Sequence, residues 1–212
     1  MPITEPTTML TDYAIAVEAS GFSILLFRLG PFHQQAAIKF WAAAFGNVAV
    51  AAALGGTCHG FARLLEGSAL ALLWRIMLLA ISLAGCFMLL ATLKSSLSRR
   101  WQREGNMLVG IKFFAYLGWA ILHPSLDHAF VYGVVDYLSA MLWVLLLEIR
   151  AVFHSPRSLW IIAGILMSGV AIAFQTSGVV LFKYFNHNDL YHLLQMIALY
   201  WFYRAARLLK DR

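Results

Sequence analysis

The sequence predicts an all-α fold, a seven-transmembrane helical bundle with its N-terminus outside and its C-terminus cytoplasmic. Three observations predict it: long apolar runs, a shortage of charge, and basic residues gathered at alternate helix ends. Of the 212 residues, 61% are hydrophobic and 12% charged, where a soluble domain carries roughly 25% charged residues. Mean hydropathy is +0.74. Such a chain lacks the polar surface to dissolve itself, and the runs it contains are those a lipid solvent demands.

Seven stretches come near or above the roughly 20 residues that span a hydrocarbon core. They lie at about 10–29, 35–58, 68–93, 106–123, 128–149, 158–182 and 188–208, placed as a sliding hydropathy window places them. Turn and loop residues separate them: Gly30 with Pro31, Gly67 with Ser68, Gly105 with Asn106, Pro124 with Ser125, Ser155 with Pro156, and Asn186 with Asn188. The connections are too short to join a second domain, so residues 1–212 read as a single seven-helix membrane domain.

Seven spans put the termini on opposite sides, and charge assigns the sides. Arg28, Lys94, Arg99, Arg100, Arg103, Arg150, Arg157, Arg204, Arg207, Lys210 and Arg212 fall at ends that share one face; the other holds only Arg63 and Lys183. By the positive-inside rule the crowded face is cytoplasmic, and the expected location is the cell (inner) membrane. The net charge of +6 is therefore a topology signal, and no nucleic-acid partner is expected. Met1–Thr11 contains Glu5 and no basic residue, so the first run reads as a retained helix, not a cleaved leader. The two cysteines, Cys58 and Cys86, make no metal pattern and read as small packing residues.

Polar residues inside helices are costly in lipid and face the bundle interior or a wet cavity. Here they concentrate in the external half. Glu18 lies about two turns into the first helix, Arg75 about two turns into the third and Asp136 about two turns into the fifth. Gln175 is in the outer part of the sixth, and Asn188, Asp189, His192 and Gln195 repeat at helical spacing on the seventh. Glu18, Arg75 and Asp136 read either as an orienting ion triad or as cavity lining. Lys112 reads as snorkelling from the inner end of the fourth helix.

Five of the seven histidines, His59, His123, His128, His187 and His192, fall on the external side. Imidazole is the commonest metal ligand and a proton carrier near neutral pH. A cluster of imidazoles with Asp136 or Asp189 suits a divalent metal, zinc above all. Asp189 and His192 stand at i, i+3 and can face one ion, whereas His187 and His192 stand at i, i+5, separated by about 140° on a continuous helix. His187 converges only if it precedes the helix proper, with Asn188 or Asp189 as N-cap.

The runs Asn186-His187-Asn188-Asp189-Leu190-Tyr191-His192 and Gly55-Gly56-Thr57-Cys58-His59-Gly60, on seven helices with an external N-terminus, resemble the CREST superfamily of membrane hydrolases. That superfamily contains the alkaline ceramidases and the progestin and adipoQ receptors. The resemblance implies zinc held by a His near an end of the second helix and an HxxxH pair opening the seventh, with a Ser and an Asp assisting hydrolysis of a lipid amide. His59 matches the second-helix ligand and His192 the later His of the pair. The sequence departs in having Asn188 in place of the earlier His, Gly55 where a Ser is expected, and Arg75 in the region of the expected Asp. His187, one place out of register, and Asp136 or Asp189 are the candidates to replace what is missing.

Two readings follow. In the first, His59, His187 and His192 hold zinc, Asp136 or Asp189 takes the proton, and a lipid amide or ester enters from the membrane to a cavity lined by Glu18, Arg75, Gln175, Asn188 and Gln195. In the alternative, the same cavity holds a lipid or small-molecule ligand without chemistry, as in a receptor or structural subunit.

Overall fold

Each apolar run becomes one helix. A computed structural model describes residues 3–123, 126–153, 155–182 and 185–212. It contains α1 (Pro6–His33), α2 (Ala36–Phe61), α3 (Gly67–Ser96), α4 (Arg99–Leu122), α5 (Leu126–Ala151), α6 (Pro156–Ser177) and α7 (His187–Ala206), with a small hairpin, β1 (Val180–Phe182) and β2 (Phe185–Asn186), before α7. Helices α1 to α6 are long and apolar enough to cross a membrane. At 20 residues, α7 is about 30 Å long, also a membrane thickness, but Asn188, Asp189, His192 and Gln195 make its first half polar.

Three boundaries differ from the sequence expectation, each for a local reason. Gly30 and Pro31 lie within α1, which ends where Gln34 adopts φ 54°. Gly105 and Asn106 lie within α4, which begins at Arg99 behind the extended Ser98. A hydropathy window opens a span where charge stops, but Arg, Gln and Glu are good helix formers and carry the helix further out. Helix α6 stops at Ser177 instead of 182 because Gly178 turns left-handed, φ 66°. The apolar residues beyond it pair in the hairpin, Val180 with Asn186 and Phe182 with Phe185.

Helices α1, α2, α3, α5, α6 and α7 form a closed ring of neighbours, α7 returning to α1, while α4 packs outside against α3 and lightly against α5. The perimeter is apolar and open: Val17 is 74% exposed, Phe114 68% and Leu122 75%. Side chains of that kind at such exposure belong in lipid, not water, and the chain is a helical membrane protein.

The ring is plugged at the end where α2 begins and α7 finishes. Trp41, Phe45, Phe202, Leu26 and Ile38 are almost completely buried there. The Trp41 and Phe202 rings lie 5.5 Å apart, and Gly164 lets the α6 backbone touch Phe202, since a Cβ there would fall 2.5 Å from the ring. Close packing of this kind holds helices together where burial from lipid gains nothing. The termini brace α2 from opposite ends. Thr4 N donates to Gly60 O (3.0 Å) and Glu5 N to His59 O (3.2 Å). At the other end, Ala36 N and Ala37 N donate to the Asp211 carboxylate (2.8 and 2.9 Å), a cap supplied from far along the chain.

Candidate functional site

With one end plugged, the ring encloses a cavity of ≈ 290 Å³ towards the other, lined from all six of its helices and not from α4. Most of its wall is apolar, including Trp74, Met77, Phe130 and Leu138; its polar groups include Asp12, His59, Gln175, His192 and Gln195. An apolar recess with a few convergent polar groups is the usual form of a ligand site.

The polar end is organised around His192. Its Nδ1 lies 2.8 Å from Thr11 Oγ1 and its Nε2 lies 3.3 Å from Asp12 Oδ1. The Thr11 hydroxyl has one hydrogen and donates it to Thr8 O (3.0 Å). Thr11 therefore accepts from His192, and Nδ1 carries the proton. With Nδ1 protonated, a hydrogen bond between Nε2 and Asp12 Oδ1 requires one further proton, held by the ring or by the carboxyl group. Both residues are buried, Asp12 and His192 each at 6% exposure. Asp12 Oδ2 is buried and has no hydrogen-bond partner among the described residues, an expensive state for a carboxyl oxygen.

Glycine positions Asp12. A Cβ at Gly55 would sit 3.4 Å from both Asp12 oxygens, and one at Gly56 would sit 3.0 Å from its Cβ and 3.1 Å from Met9 O. At Gly60 a Cβ would come within 2.4 Å of Met9 Sδ. The small residues at the end of α2 thus bring α1 close enough to lay its carboxyl beside the α7 imidazole.

His59, near the end of α2, lines the same cavity. Glu5 Oε2 holds its Nδ1 at 3.0 Å, and Trp74 meets its ring edge-on at 6.0 Å. A carboxylate on one ring nitrogen fixes orientation and leaves Nε2 for another partner. Tyr13 steadies the same region by donating to Thr57 Oγ1 (3.1 Å), whose own hydrogen goes to Ala53 O (2.8 Å).

The structure thus puts the α2 and α7 imidazoles on one cavity, together with Gln175 and Gln195. The other sequence candidates have different places. Asp136 does not line the cavity: Lys112 Nζ donates to its Oδ1 (2.6 Å) and Ser82 Oγ to its Oδ2 (2.8 Å). This pairing replaces the triad with Glu18 and Arg75, and it replaces snorkelling by Lys112. Asp189 is fully buried and its Oδ2 accepts from Asn186 N (2.7 Å). Asn186 Oδ1 in turn accepts from the N–H groups of Asn188 and Asp189, 2.8 and 3.3 Å away. This reciprocal cap makes Asn186 the N-cap, where Asn188 or Asp189 was expected, and places His187 inside the first turn of α7. His187, Asn188, Glu18 and Arg75 are absent from the cavity wall. Asn188 still accepts from Gln175 Nε2 at 3.5 Å, Arg75 is exposed, and Glu18 has a buried Oε2 without a hydrogen bond among the described residues. His123 stacks on Trp119 at 4.8 Å. The side chain of His128, and Lys183 entirely, lie outside the described residues.

Among the described residues, no group of three or more His, Cys, Asp or Glu side chains stands gathered to hold a metal ion. The cavity's strongest donors are two imidazoles and one carboxyl. Sequence reasoning overlooked Asp12, Thr11 and Glu5, three residues that organise those imidazoles.

Fold and site together define a polytopic helical membrane protein with a polar-ended internal cavity. Residues 7–211 match the model of a family described as of unknown function (DUF6962), and the chain belongs to that family. No curated protein and no solved structure matches it.

Proposed function

We propose that this protein is a zinc-dependent membrane hydrolase that cleaves a lipid amide or ester, oriented with its N-terminus outside the cell (inner) membrane. The observation that carries the reading is His192, clasped between Thr11 and Asp12 at the polar end of an otherwise apolar recess. The likeness to the CREST superfamily at His59 and His192 supports it. The donors suit zinc in kind: His59 Nε2, His192 Nε2 and Asp12 Oδ2, unpartnered among the described residues, would supply three N/O ligands if brought together. Asp12 takes the part expected of Asp136 or Asp189, and His187 takes none.

When bound, zinc supplies Lewis acidity, lowering the pKa of a water and polarising a carbonyl. The chain supplies the rest. Thr11 fixes the His192 tautomer, and Glu5 fixes the His59 ring. Trp74, Met77, Phe130 and Leu138 receive the acyl chain, and Gln175 and Gln195 offer amide groups to the polar part of the substrate. Hydrolysis takes a proton from water and returns one to the departing nitrogen or oxygen. With His192 Nε2 and Asp12 Oδ2 given to the metal, the proton between them would be displaced, and Asp12 Oδ1 would be the group to accept the first and deliver the second.

One observation favours a second reading, a receptor or structural subunit that holds a ligand here without chemistry: three metal donors do not stand gathered among the described residues. Metal content separates the two. Protein purified in detergent should carry about one zinc per chain, lost in His59→Ala, His192→Ala and Asp12→Ala while circular dichroism stays helical. A metal-free, fully helical wild type sinks the zinc hydrolase and leaves the ligand-binding reading.

A further inference from the structure

A second cavity, of ≈ 160 Å³, opens at the opposite end of the bundle. Its wall includes Ser96 at the end of α3, Leu147 and Arg150 near the end of α5, Ser155 before α6, and Arg212. Two arginines and two serines line it, and among the described residues no Asp or Glu does.

Each positive group is available for a ligand. Arg150 is exposed and has no acidic partner among the described residues. Arg212 is tethered through its backbone and one guanidinium nitrogen: its N donates to Lys94 O (3.0 Å), its O accepts from Gln102 Nε2 (3.1 Å) and its Nη1 donates to Ser96 O (3.1 Å), which leaves most of a five-donor fork free. The nearby acid is already engaged, since Glu148 accepts from Ser158 Oγ at 2.5 Å and from Ser96 Oγ at 3.2 Å. Behind Ser96, Arg157 is 6% exposed and donates to Ser96 Oγ (3.2 Å) and Ser95 O (3.0 Å), while its Nε has no hydrogen-bond partner among the described residues. Arg150 and Arg212 are thus two cationic side chains on this wall with no acidic side-chain partner among the described residues.

Helix α6 adds to it. Ser155 is its N-cap residue but its side chain makes no capping bond, and Pro156 follows at the first helical positions. The partial positive charge of a 22-residue helix thus lies beside the cavity without a side-chain acceptor. Leu97, Leu147 and Ala151 give the wall an apolar part.

We propose that this cavity binds a phosphate group, presented by an anionic phospholipid headgroup or as free phosphate. Paired guanidinium groups match phosphate oxygens in number and geometry, and the inference stands independently of the hydrolase reading.

Native mass spectrometry of the detergent-purified protein tests it, using phosphatidylglycerol, phosphatidylcholine (whose phosphate is offset by its own choline) and inorganic phosphate as probes. Arg150→Gln and Arg212→Gln each remove one guanidinium, and Arg103→Gln removes a basic residue that does not line the cavity. Losing one charge-assisted contact should weaken binding roughly tenfold in either cavity variant, with Arg103→Gln close to wild type. Because Arg150 is exposed and makes no side-chain hydrogen bond or ion pair among the described residues, Arg150→Gln should stay folded even if Arg212→Gln does not. Phosphatidylglycerol retention without inorganic phosphate binding identifies a headgroup site, and binding of both identifies a general phosphate site. The proposal is overturned if neither probe exceeds phosphatidylcholine and chloride controls, if Arg150→Gln binds like wild type, or if Arg103→Gln loses as much.

Discussion

Lys112 Nζ lies 2.6 Å from Asp136 Oδ1, joining α4 to α5 through an ion pair whose side chains are 18% and 8% exposed. Helix α4 otherwise buries little, Gln102, Val109 and Tyr116 alone in its described length. The pair is therefore a main fastening between the outlying helix and the ring.

Breaking one half of that pair should cost far more than removing both. Lys112→Met strands a buried carboxylate and is expected to destabilise by about 3–5 kcal/mol, whereas Lys112→Met with Asp136→Leu should recover most of the loss. Reversible unfolding in mixed detergent micelles checks both, and equal losses in the two variants would show that the charge itself is unimportant.

Thr11→Val removes the acceptor that fixes His192 Nδ1 while keeping side-chain volume. If His192 binds metal through Nε2, zinc affinity should fall by about 10–100-fold, with Thr11→Ser near wild type. Competition against a chelator measures it, and an unchanged affinity would separate Thr11 from the site.

Gly164→Ala places a methyl group against the Phe202 ring, itself 1% exposed with no room to retreat. Overpacking should cost about 1–3 kcal/mol, and Phe202→Leu in the same chain should restore part of it. Detergent thermal melts of the single and double variants decide the matter.

Asp211→Ala uncaps α2 and should cost about 0.5–2 kcal/mol. Amide exchange should rise at Ala36 and Ala37, the two N–H groups that Asp211 accepts from, and exchange equal to wild type at those positions would count against the cap.

Orientation is open to direct labelling. With Cys58 and Cys86 replaced by alanine, Ile3→Cys, at a position 42% exposed, should react in intact cells with a membrane-impermeant maleimide, and Lys210→Cys only after lysis. The reverse pattern would invert the assignment made from basic residues.

The helices were legible because lipid imposes length and apolarity on every span, and His59 and His192 stood out as polar residues set in apolar runs. Lys112 was misread because the fourth helix was begun at 106 instead of Arg99. The seven residues between move it about 10 Å along the axis, from an end to the middle. Asp136 and Asp189 looked available because their partners, Lys112 on another helix and the Asn186 backbone, come from packing and capping that hydropathy does not report. Asp12 was missed because it fell beside the start of the first apolar window. A helical stripe does carry it: Thr8, Asp12, Ile15, Ala19, Ser23 and Leu26, at steps of four and three, are all buried. Polar members on such an inward stripe mark a site that average hydropathy conceals.

The Asp211 cap has a temporal side as well. The helix that is second to leave the ribosome receives its final hydrogen bonds from a residue synthesised 175 and 174 positions later. Its opening turn must therefore wait, solvated or borrowed by other partners, until the seventh helix has been made. Closure of so long a loop belongs late in assembly, and an interrupted chain would present that turn unfinished to the insertion and quality-control machinery.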